Sequence, residues 1–102
     1  MKPPASKAIA TTPLCVTKEL IISNCNGLHA RPSALFVKTS NRFHADVWVE
    51  KDGERVNGKS IMGLMMLAAG KGSVLRITAE GKDAADLIAA LEELLLTHFG
   101  EE

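Results

Sequence analysis

"HADVWVEKDGERVN", residues 44–57, decides how the chain folds. From His44 to Glu50 the side chains alternate, with Ala45, Val47 and Val49 on one face and His44, Asp46, Trp48 and Glu50 on the other. Period two with a single apolar face predicts a strand lying on a core. Asp52-Gly53 follows, and a two-residue I′ turn needs positive φ at both central residues, which this pair tolerates. ERVN (54–57) then returns as the antiparallel partner.

A hairpin with one apolar face needs a cover, and the flanking segments supply it. Upstream, VTKELII (16–22) alternates as well, with Val16, Leu20 and Ile22 on the face that also carries Lys18. SNCNG (23–27) has loop chemistry. Residues 30–41 suit a helix: Pro32 falls in the first turn, where a missing N–H costs nothing. Leu35, Phe36, Thr39 and Ser40 then follow helical spacing behind Leu28 and Pro32. Downstream, Ser60 precedes IMGLMMLAA (61–69), a short helix capped by the Ser60 hydroxyl and ended by Gly70 and Gly72. SVLRITAE (73–80) is a strand with Leu75, Ile77 and Ala79 on one face. KDAADLIAALEELLLTHF (82–99) is the clearest helix. Asp83 suits its N-cap, and Ala84, Leu87, Ile88, Leu91, Leu94 and Leu95 form its buried stripe. The order is β-α-β-β-α-β-α. Strands with one apolar face require a single helical layer, so the expected fold is α+β, an open-faced β-sandwich of four strands and three helices. If the first two strands are parallel, the helical crossover between them should be right-handed.

With 102 residues the chain fits one small domain. Twelve basic and twelve acidic residues cancel, which argues against a broad electrostatic footprint for nucleic acid or an anionic membrane. A nucleic-acid-binding sheet would also want several exposed aromatics, and Trp48 stands alone. Cys15 and Cys25 are too few for a disulfide framework and lack metal or redox spacing, so they read as free thiols. His29, His44 and His98 are too scattered for a metal site, and no cofactor motif is present. MKPPASKAIATTPL (1–14), broken by Pro3, Pro4 and Pro13, reads as a disordered arm rather than a signal peptide, leaving 15–102 as the domain. No window reaches the roughly 18 apolar residues that span a bilayer. The expectation is a soluble cytoplasmic protein.

His29 stands apart from the other two histidines because it sits where the loop becomes a helix. The first N–H groups of a helix have no internal acceptor, and the macrodipole makes the space before them favourable to anions. Arg31 adds a permanent cation with donors suited to phosphate oxygens. Gly27 lets the backbone turn closely beneath. These parts suit a labile phosphoryl group on a ring nitrogen. With no Gly-rich nucleotide loop and no Mg²⁺ carboxylate pair, the site reads as an acceptor and donor rather than a complete enzyme. His44 reads as an exposed strand residue and His98 as a cation in the last helical turn.

GLHARPSALFVKTSNRF (27–43) followed by NGKSIMGLMMLAAGKGS (57–73) resembles the HPr family, the histidine-containing phosphocarriers of the bacterial sugar phosphotransferase system, and its nitrogen-branch paralogues. The likeness runs over residues 15–100. It implies a four-stranded antiparallel sheet in the order 1-4-2-3, with three helices on one face. It implies that His29 is phosphorylated by Enzyme I at the expense of phosphoenolpyruvate and that phosphate passes on to a IIA domain. Arg31 then matches the active-centre arginine. Ser60 matches the serine that an ATP-dependent HPr kinase/phosphorylase modifies in many members, with regulatory partners such as a transcriptional regulator. Met62, Met65 and Met66 follow helical spacing, opposite an inward stripe of Ile61, Leu64 and Ala68; they are either core or a soft docking patch rimmed by Lys38 and Arg42. LMMLAAGKG (64–72) and the FGEE ending lean toward the nitrogen branch, whereas Ser60 after Lys59 leans toward the sugar branch. A monomer is expected.

Overall fold

In a computed structural model, which describes residues 15–100, the elements run β1 (Cys15–Ile21), α1 (Ala30–Ser40), β2 (Asp46–Lys51), β3 (Glu54–Asn57), α2 (Ile61–Met66), β4 (Val74–Glu80) and α3 (Ala84–Leu96), closed by a 3-10 turn at His98–Gly100. The arm expected over 1–14 lies outside the described residues. The four strands form one sheet in the order β1-β4-β2-β3, and every neighbouring pair is antiparallel. β1 and β2 therefore run in the same direction on either side of β4.

The hairpin forms as its sequence dictates. Lys51 pairs with Glu54 across the turn, and Asp52 and Gly53 take φ of 52° and 83°. Alternation then separates the two faces of the sheet. Val47, Val49, Leu75, Ile77 and Ala79 are buried with Leu20, against Phe36 of α1, Leu64 of α2 and Leu87, Ile88 and Leu91 of α3. Truncating one of these, Leu91→Ala for example, would cost about 2–5 kcal/mol. Lys18 occupies an inward register position opposite Ile77, but on the edge strand it reaches out to Glu92 of α3 at 2.7 Å. Both groups are partly exposed, so the pair contributes only about 0–1 kcal/mol. On the open face Thr17 and Thr78 hydroxyls meet at 3.1 Å, Arg76 lies 3.6 Å from Glu19, and the Arg55 guanidinium lies 5.1 Å from the Trp48 ring centre.

Several local expectations change. α2 stops at Met66 rather than running to Ala69. The N–H groups of Leu67 and Ala68 bond three residues back, to Leu64 and Met65, and Ala68 takes a φ of 52°. Helical spacing lapses there, so Leu67 and Ala69 are buried while Ala68 is exposed; Ile61, in the first turn of α2, is exposed as well rather than inward. Asp83 stands at the α3 N-cap but makes no capping bond. Its carboxylate instead accepts the N–H groups of His44 at 2.9 Å and Ala45 at 2.8 Å, tying the start of α3 to the entry of β2. α3 ends at Leu96, so His98 lies outside it. His98 and Phe99 both take φ of 56°, and this reversal buries Phe99 against the core. Leu94, at the flank of the stripe, is only partly buried.

Candidate functional site

Two helix starts carry the residues singled out in the sequence. At α1, His29 is the N-cap with extended backbone (φ −81°, ψ −166°), and its side chain makes no capping bond. The first turn closes with the Ser33 N–H donating to the His29 carbonyl at 3.0 Å. Ahead of that bond the N–H groups of Ala30 and Arg31 have no acceptor within the helix, and Pro32 has none to offer. The half-buried imidazole and the exposed Arg31 therefore frame the positive end of an 11-residue helix.

The loop beneath His29 is held from several sides. The Leu28 N–H donates to the Ala69 carbonyl at 2.9 Å, joining the loop to the segment after α2. Gly27 has φ of 68°, and a Cβ there would stand 2.3 Å from the Ala69 oxygen, so only glycine fits. Asn24 is fully buried and its amide donates to the Gly27 carbonyl at 2.9 Å. Ser33, also fully buried, donates its hydroxyl to the Leu28 carbonyl at 3.2 Å. Neither side chain is marked out by the sequence. Asn24 stood in a polar loop beside Asn26, and Ser33 broke no helical pattern, so neither signalled burial.

At α2 the Ser60 hydroxyl accepts the Gly63 N–H at 3.0 Å, the capping bond its sequence predicts. Met62, Met65 and Met66 are 75%, 43% and 70% exposed, which removes the core alternative for the methionines. Met65 joins Asn26, Leu28, His29, Ala68, Ala69 and Gly70 around a shallow depression of about 270 Å³, so the methionine surface reaches the histidine. Lys38 is exposed but stands farther off, roughly 13 Å from His29 along α1 at 1.5 Å per residue, and Arg42, also exposed, lies beyond the end of α1. Arg42 lies over the Phe43 ring and beside Glu93 and Thr97 rather than at the depression. His44 is exposed, and Cys15 and Cys25 are exposed free thiols.

A family model for the "PTS HPr component phosphorylation site" matches residues 16–96, spanning both helix starts. The chain belongs to the HPr family. It is 52% identical over 80 residues to the phosphocarrier protein HPr of Neisseria meningitidis, a match that covers 78% of this chain and 90% of that protein. The HPr-like protein Crh of Halalkalibacterium halodurans is 49% identical over 76 residues, covering 74% and 90%. Among solved structures, HPr-C-His from Thermoanaerobacter tengcongensis superposes with a TM-score of 0.82 at 48% identity, covering 85% of this chain and 98% of that one. The sheet order 1-4-2-3 and the three-helix layer implied by the HPr resemblance are the ones observed. No helix among the described residues is long and apolar enough to cross a membrane.

Proposed function

We propose that this HPr-family chain accepts a phosphoryl group on His29 from phosphorylated Enzyme I, charged by phosphoenolpyruvate, and delivers it to a IIA domain. The observation that carries this reading is the placement of His29 at the start of α1, beside Arg31, with the imidazole left out of the capping role. In the transfer a ring nitrogen supplies its lone pair and an N–P bond forms. The bond from phosphorus to Enzyme I breaks, and its electron pair stays with Enzyme I. The ring proton remains on the other nitrogen. Negative charge on the transferring phosphoryl oxygens falls opposite the Ala30 and Arg31 N–H groups and the Arg31 guanidinium, where fixed donors are worth most. Delivery to the IIA domain reverses these steps. The chain works as a covalent carrier in the cytoplasm, as a monomer, and the exposed Met62 and Met65 side chains provide an adaptable docking surface beside the histidine. Lys38 extends its rim along α1, and Arg42, beyond the helix end, stands apart from it.

Ser60 adds a regulatory reading, favoured by its place at the start of α2, the helix whose Met65 reaches the depression beside His29. An ATP-dependent kinase of the HPr kinase/phosphorylase type would place a phosphate on the hydroxyl that caps α2. A phosphate is compatible with a helix start, so its effect is a change of surface charge on the helix that reaches His29 rather than unfolding. A transcriptional regulator is a partner class for that form.

Purified protein incubated with Enzyme I and labelled phosphoenolpyruvate should take up label that a IIA domain then discharges. Label that forms but cannot be discharged to any IIA domain of the same cell would leave the kinase-regulated role as the better reading.

A further inference from the structure

The two carbonyl groups immediately before His29 are both claimed by fully buried side chains. Asn24 donates to the Gly27 oxygen at 2.9 Å, and Ser33 donates to the Leu28 oxygen at 3.2 Å. Asn24 and Ser33 are 0% exposed, and so these oxygens are drawn toward the interior. The Gly27 oxygen also accepts the His29 N–H at 3.0 Å, and Ser33 anchors the His29 carbonyl through its own N–H at 3.0 Å. Three successive carbonyls, at 27, 28 and 29, are thereby held while the next two N–H groups, at 30 and 31, face the space before the helix. A carbonyl oxygen turned into that space would repel a phosphoryl group and compete for its donors. Burying a polar side chain costs free energy unless its bonds are made, so two such side chains converging on one loop fix its geometry tightly.

We infer that Asn24 and Ser33 are positioning residues for phosphoryl transfer at His29, holding the peptide groups before the ring turned inward so that only donors face the phosphate. This rests on the phosphocarrier reading and assigns the work to two side chains that are buried and so lie outside the exposed surface.

The test uses Asn24→Asp, which keeps the shape but replaces the donating amide with an acceptor, together with Ser33→Ala and Ser33→Thr. Each full-length variant is charged by Enzyme I and phosphoenolpyruvate, with the maximal rate and the KM for the acceptor measured separately, and with amide NMR shifts of Ala30 and Arg31 recorded. Asn24→Asp and Ser33→Ala should charge about tenfold more slowly, as small misplacements of reacting groups do, with KM within about twofold because α2 is untouched. Their Ala30 and Arg31 amide signals should move, and Ser33→Thr, which restores the hydroxyl, should recover the wild-type rate. Folded Asn24→Asp and Ser33→Ala proteins that charge at the wild-type rate would overturn the inference alone, as would Ser33→Thr being as slow as Ser33→Ala. If Asn24→Asp does not fold, the Ser33 pair decides. Wild-type protein that takes no label at His29 would overturn both the inference and the reading beneath it.

Discussion

α1 and α2 begin with different solutions to one problem. Both helices present N–H groups that need an acceptor. At α2 the protein supplies its own, the Ser60 hydroxyl 3.0 Å from the Gly63 N–H. At α1 the residue in the same position is His29, whose side chain makes no such bond. A capped helix start is stabilised by about 1 kcal/mol. Forgoing a side-chain cap gives up that contribution and leaves a positive helix end for an anion from outside, with a nucleophilic ring standing before it. The comparison teaches that a serine and a histidine at equivalent helix positions divide stability from chemistry. On the proposed function the fold carries phosphate at either one, through unlike bonds.

Breaking the comparison at its functional end has the largest effect. His29→Ala should abolish charging by Enzyme I while leaving the protein folded, since the half-buried ring lies outside the hydrophobic core; a charging assay beside a thermal melt checks both. Gly27→Ala comes next. Its Cβ would meet the Ala69 oxygen at 2.3 Å on a backbone with φ of 68°. A loss of about 2 kcal/mol or more is expected in urea unfolding, because positive φ and a backbone clash add. Ser60→Ala should cost about 1 kcal/mol in the same assay and leave the chemical step at His29 intact. A fall in its maximal charging rate as large as that of Asn24→Asp would mean that the two helix starts are not separable.

The smallest effect sharpens the comparison with a third helix start. Asp83 precedes α3, yet its carboxylate serves β2, and the backbone N–H of His44, then that of Ala45, holds its pKa below the usual carboxylate value. A group with a lowered folded pKa adds stability that is complete above its unfolded pKa and is lost as pH falls through the folded one. Stability measured from pH 5 downward should therefore fall less steeply for Asp83→Asn than for wild type, with little difference in slope above that range.

Most of the fold was legible because alternation and the Asp52-Gly53 turn are local signals. The faces of β2 and β4, the positive φ values in the hairpin and the Ser60 cap all follow from neighbours within four residues. What was not legible depends on distant parts of the chain. Ala68 was expected inward on helical spacing, but α2 ends early, Leu67 and Ala69 are buried instead, and Ala69 accepts from Leu28 far away in sequence. Asp83 has the composition of a cap, but its carboxylate is taken by the segment leading into β2, 38 residues earlier at Ala45. At the site, His29, Arg31 and Ser60 stood out by residue type and position. Asn24 and Ser33 did not, because a buried hydrogen bond to a loop carbonyl leaves no trace in periodicity.

The central claim is that the chain carries phosphate as a phosphoramidate on His29. Phosphorus NMR with peptide mapping of protein charged by Enzyme I and phosphoenolpyruvate tests it most directly. The account predicts one acid-labile N–P species mapped to His29, absent from His29→Ala. Acid-stable phosphate, or equal labelling of the His29→Ala protein, would contradict it.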